Sequence, residues 1–128
     1  MQIRLAATAL MIELIYVDEN VAQEEKKRLV EILQNTWHIN KEEIDTLIKL
    51  AEEKVDNAND YYHFTRLIND NYTYEMKYQL IKSLWEIAYA DNELNKYEEA
   101  TIRKLAELLY VEHADFIRAK QAVLSSSS

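Results

Sequence analysis

Apolar residues recur along this chain at helical spacing and divide it into seven segments. The first, about 2–17, is apolar on nearly every side. The second, about 22–37, keeps Leu29, Ile32, Leu33 and Thr36 on one stripe. The third opens at Asn40 with Glu43 three residues on, a capping-box pattern, and turns Ile44, Leu47, Ile48 and Ala51 inward. The polar run 56–60 reads as a loop. A fourth helix follows over about 61–70, with Phe64, Leu67 and Ile68 inward. The fifth, about 73–90, carries Leu80, Ile81, Leu84, Trp85, Ile87 and Ala88 and has little polar face. The sixth opens at Asn95, with Glu98 at the capping-box position, and buries Ile102, Leu105, Ala106 and Leu109. The seventh covers about 112–123, with Phe116 and Ile117 inward.

Helices that are apolar all round belong in the middle of a bundle. The first and fifth segments therefore predict an all-α bundle of about seven helices built round two central ones. Composition agrees. The chain has no Gly and no Pro, whereas a β-rich fold of this length needs Gly for its φ > 0 turns. Its 128 residues suit one domain, placed at 1–124, with a flexible Ser tail at 125–128.

The two central segments carry one acidic unit each. The first reads Glu13-x-x-Tyr16-x-Asp18-x-x-Val21-x-x-x-Glu25, and the second Glu86-x-x-Tyr89-x-Asp91-x-x-Leu94-x-x-x-Glu98, 73 positions on. Apolar positions around them follow the same shift, Leu14 with Ile87, Leu29 with Ile102, Ile32 with Leu105 and Trp37 with Tyr110. An internal duplication accounts for both agreements.

Each unit places an Asp where one helix ends and a Glu in the first turn of the next. Divalent cations want several oxygens converging on one point. Asp18, Asn20 and Glu25 form one candidate set; Asp91, Glu93 and Glu98 form the other. These are not EF-hands, because Gln23 or Lys96 stands where such a loop needs Gly. Calcium or magnesium suits the oxygens better than zinc, with a Kd on the order of 10⁻⁴ M or weaker. The same carboxylates also suit helix capping, where a first-turn Glu bonds back to the cap and favours the dipole. Spacing leaves both readings open. Glu13 and Glu86 sit within apolar helices and need partners if buried, for which Arg66 and Arg118 are candidates.

Net charge is −8 and the pI about 4.9. Such a surface repels phosphates, which argues against nucleic acid and anionic membrane surfaces. The first apolar run is too short to span a bilayer and is broken by Glu13. No Cys is present, so thiol chemistry is excluded. No HExxH, P-loop or GxSxG motif occurs, and no enzyme is expected. His38, His63 and His113 lie in separate segments and read as ordinary histidines rather than ligands. Nine tyrosines, several near the turn after the fourth helix, form either a contact patch or a set of packed rings with surface hydroxyls.

The spans Tyr62-His63-Phe64-Thr65-Arg66-Leu67-Ile68-Asn69, Leu84-Trp85-Glu86-Ile87-Ala88-Tyr89-Ala90-Asp91 and Asp115-Phe116-Ile117-Arg118-Ala119-Lys120, in their order and spacing, resemble the TerB-like family, the domain of tellurite-resistance protein B. The resemblance covers about 5–124 and is nearest to the small stand-alone bacterial branch. That family's turn usually reads Ala-Asp-Gly; here it reads Val17-Asp18-Glu19 and Ala90-Asp91-Asn92, with the Asp kept twice and the Gly lost twice. The resemblance implies a compact all-α domain with duplicated halves and acidic clusters for divalent metal. It also implies a cytoplasmic role in tellurite resistance or stress response, with a protein partner in a membrane-associated complex. The alternative is a metal-free interaction module whose acidic residues only cap helices and keep the chain soluble.

Overall fold

The computed structural model describes residues 2–15, 23–54, 58–90 and 96–126. These form seven helices: α1 (Gln2–Ile15), α2 (Gln23–Asn35), α3 (Lys41–Lys54), α4 (Ala58–Asn71), α5 (Tyr74–Ala88), α6 (Lys96–Leu108) and α7 (His113–Ser126). No strand occurs among the described residues. The all-α expectation holds.

Helix α1 is buried at every position from Leu5 to Ile12. Three of those eight positions are Ala6, Ala7 and Ala9, whose small side chains let neighbouring helices approach closely. Helices α2, α3, α4, α5 and α6 all pack on it. Helix α5 is the second axis, packed by α1, α2, α6 and α7, and it buries Leu80, Ile81, Ser83, Leu84, Trp85, Ile87 and Ala88. Trp85 and Phe116 are the bulkiest side chains sealed from solvent, and their ring centroids lie 5.2 Å apart.

The duplication is visible in the backbone. Helices α1 and α5 end at positions 73 apart, and α2 and α6 both begin and end 73 apart. The packing repeats as well: α3 lies on α1 as α7 lies on α5, and α2 meets α5 as α6 meets α1. The register breaks only after α2. Residues 36–40 join α2 to α3, whereas the shorter segment 109–112 joins α6 to α7. In the shorter turn Val111 N–H donates to Ala106 O at 2.8 Å and Tyr110 N–H to Glu107 O at 3.1 Å. That pair of bonds is a Schellman cap with Tyr110 as its left-handed residue, φ 59°. In the longer turn His38 takes the left-handed place, φ 55°, and Ile39 N–H reaches Leu33 O at 2.9 Å. With no Gly in the chain, both caps put a side chain where a Cβ is disfavoured.

Several boundaries differ from the sequence reading. Helix α4 begins at Ala58, inside the run expected to be a loop. Helix α2 stops at Asn35, so Thr36 is an exposed turn residue and not part of the buried stripe. Helix α7 runs on to Ser126, two residues into the expected tail. The start of α3 agrees, with Asn40 Oδ1 accepting from Glu43 N–H at 2.8 Å. Among the described residues no helix is long and apolar enough to cross a membrane.

A polar junction holds α5 to α7. The Tyr74 hydroxyl accepts from Glu112 N–H at 3.0 Å and donates to Asp115. Loss of hydration at the junction first, and the bond to Asp115 second, raise the Tyr74 phenol above its ordinary value of 10.0. Arg118 pairs with Asp115 at 3.0 Å and lies over the Tyr78 ring, 4.3 Å from its centroid. The tyrosines near this turn thus do separate jobs. Tyr72 is buried, Tyr78 lies beneath Arg118, and Tyr62 is exposed.

Candidate functional site

Because α2 and α6 start in the same register, Glu25 and Glu98 are each the third residue of their helix. Both are buried, at 5% and 4% exposed. Glu43, at the same nominal position in α3 and beside an authentic Asn40 cap, is only half-buried. The same helical position is thus buried in both halves of the molecule and only half-buried in α3.

Each precedes an apolar layer of its own helix. One turn further along come Leu29 in α2 and Ile102 in α6, both sealed in the core. Both glutamates already take part in polar interactions within the chain. An ionised carboxylate offers about four lone-pair sites in all, the kind of oxygen donor a divalent cation takes. The positive end of each helix favours the negative charge as well.

The remaining candidates separate. Asp18, Asn20, Asp91 and Glu93 lie outside the described residues, as do Tyr16, Val21, Leu94 and the expected cap Asn95. Among the described residues no three His, Cys, Asp or Glu side chains come together as a cation site. The described part of each corner therefore supplies one carboxylate. His38, His63 and His113 are all exposed, and His113 stacks on Phe116 with centroids 5.7 Å apart.

Glu86 has a partner, but not one of those expected. Arg28 Nη2 lies 3.0 Å from Glu86 Oε2, while Arg28 Nη1 lies 2.9 Å from Glu31 Oε2. Arg118 is committed to Asp115 and Tyr78, and Arg66 is exposed. Arg28 sits three residues after Glu25, next to Leu29, so it points from the corner of the first half towards α5 of the second. Tyr89, the other motif residue described here, stacks on Trp85 with centroids 6.0 Å apart. Beside Glu98, Glu99 pairs with Lys120 at 3.1 Å, and that ammonium lies 5.3 Å from the centre of the Trp85 ring. Both acidic corners are thus tied to neighbouring helices by ion pairs next to the buried glutamate.

Among curated proteins and among solved structures, none matches the chain. One family model matches the chain, and its all-α fold agrees with the seven helices described here. That model is tellurite resistance protein TerB, it covers residues 4–121, and the chain belongs to the TerB family.

Proposed function

We propose that this TerB-family chain binds a divalent cation at its duplicated acidic corners, Glu25 acting with Asp18 and Glu98 with Asp91 and Glu93. Membership ties the chain to tellurite resistance at the level of the family. Within that setting the reading is a cytoplasmic, non-catalytic component of a stress response. The observation that carries it is the equal burial of Glu25 and Glu98 at positions 73 apart. A buried carboxylate is costly unless compensated, and its appearance twice in one register points to a shared role. The oxygen-only donors suit calcium or magnesium, and water completes the shell. When bound, the cation offsets the local negative charge and ties the end of α1 to α2 and the end of α5 to α6.

The test is an NMR titration of metal-stripped protein with Ca²⁺, Mg²⁺, Mn²⁺ and Zn²⁺, using wild type and Asp91→Asn. Saturable shifts or broadening around 91–98, lost in the variant, support the reading. An absence of local response up to about 10 mM, far above the weak-module range, overturns it.

A further inference from the structure

A groove of about 480 Å³ opens at the start of α5 and is lined by Thr36, Trp37, Thr73, Glu75, Met76 and Gln79. Its aromatic wall is held in place. Trp37 Nε1–H donates to Ser83 Oγ at 3.3 Å, and the indole rests against Tyr72 with centroids 5.9 Å apart. Ser83 is a departure from the repeat. The equivalent residue 73 positions earlier is Leu10, which is fully buried in the core. Trp37 departs too. In gap-free register it faces Tyr110, which stands out in solvent; in the fold His38 takes the left-handed place of Tyr110, and Trp37 packs on α5. One half of the molecule has therefore acquired an oriented indole that the other half lacks.

The chemistry of the lining is one-sided. Glu75 is the sole charged residue among the six, it is exposed, and no described cation pairs with it. Met76 gives the groove a flexible apolar wall and is 38% exposed. An indole, a thioether and a carboxylate together match a long cationic side chain, whose stem lies on apolar surface while its head meets the charge. Arginine fits better than lysine. Its planar guanidinium stacks on an aromatic ring and bonds a carboxylate through two N–H groups. The N-terminus of α5 opposes a cation with only about half a charge, which the full charge of Glu75 outweighs. The chain's net charge of −8 favours encounter with a basic partner in general.

We infer that this groove is a docking site for an arginine side chain carried by a protein partner, with Met76 taking its stem, and Trp37 and Glu75 its guanidinium. The site is separate from the acidic corners and needs no metal. The test titrates the full chain, in EDTA, with the peptide acetyl-Ala-Leu-Arg-Ala-amide, read by NMR at the Trp37 indole N–H and the amides of 73–79. A second peptide carries citrulline, the neutral isostere, in place of arginine. The expected result is saturable shifts at those signals, with binding at least about fivefold weaker for citrulline and for Glu75→Gln, and further weakened by salt. Three results overturn the inference: no local shift up to about 10 mM, a tenfold excess over a millimolar Kd; equal binding of the citrulline peptide; or undiminished binding to Glu75→Gln. Glu75 is exposed, so its replacement leaves the fold intact, and EDTA keeps the outcome independent of any cation site.

Discussion

Arg28 of α2 joins the two halves of the molecule through Glu86 of α5, with Nη2 and Oε2 3.0 Å apart. The Arg28 side chain is 41% exposed and that of Glu86 is 20% exposed, so water screens part of the attraction. A double-mutant cycle with Arg28→Met and Glu86→Gln is expected to give a coupling of about 0.5–1 kcal/mol. Urea unfolding at low and high salt measures it, and the coupling should shrink as salt rises. Arg66→Met, at an exposed position, should leave the midpoint unchanged. A larger effect from Arg66 than from Arg28 would refute this wiring.

Tyr110 is 75% exposed and held at φ 59°. Its ring has one cationic neighbour at long range, the Lys77 ammonium 5.9 Å from the centroid. A left-handed residue with a Cβ is disfavoured by roughly 1–2 kcal/mol, and Gly is the usual occupant of this cap. Tyr110→Gly should therefore stabilise the fold by about 1 kcal/mol and raise Tm by roughly 3–5 °C. Thermal unfolding followed by circular dichroism decides. A lower Tm would mean that the Tyr110 ring contributes more than its backbone costs.

The sequence made the helices and their centre legible because period and sidedness are local properties. Every α5 residue expected inward, Leu80 to Ala88, is buried, and the capping pair Asn40 and Glu43 is found as read. The start of α4 was hidden because Ala58, Asn59 and Asp60 are polar or small and resemble a loop. At the site, the duplicated Glu25 and Glu98 were legible from spacing, but their burial was not. Burial depends on how α2 and α6 lean on the central pair. Arg28 was missed for the same reason. Its partner lies 58 positions away, and no local pattern marks such a pair. The groove at Trp37 follows from one extra residue in a turn, a difference that a gap-free superposition of the halves conceals.

Tyr74 links the polar junction of α5 and α7 to pH. Its phenol titrates above 10.0 in the folded chain, so the protonated form is favoured by folding. That contribution is complete below about pH 10, the unfolded value, and is lost as pH rises through the raised folded value. Tyr74→Phe removes the bonds to Asp115 and from Glu112, and should cost up to about 1 kcal/mol at neutral pH. The difference in stability between wild type and variant should stay constant to about pH 10 and then narrow. Paired urea melts from pH 7 to 11.5 test this. A constant difference throughout would show that the hydroxyl contributes packing alone.

The two buried glutamates separate the cation reading from plain capping through stability. If a corner binds calcium with a Kd of about 10⁻⁴ M, then about 10 mM calcium is a hundredfold excess and stabilises the fold by about 2.7 kcal/mol per site. Glu98→Gln keeps the size and hydrogen-bonding reach of the side chain but removes its charge. Under the cation reading, the variant should lose the calcium-induced rise in Tm at that corner while its metal-free Tm changes little or rises, because an expensive buried charge is gone. Under capping alone, calcium should leave both proteins unchanged, and the variant should be less stable by about 0.5–1 kcal/mol, the charge–dipole contribution. Thermal melts of wild type, Glu25→Gln, Glu98→Gln and the double variant, each with EDTA and with calcium, give opposite patterns for the two readings. The Glu25 and Glu98 variants also report whether both corners bind or only one.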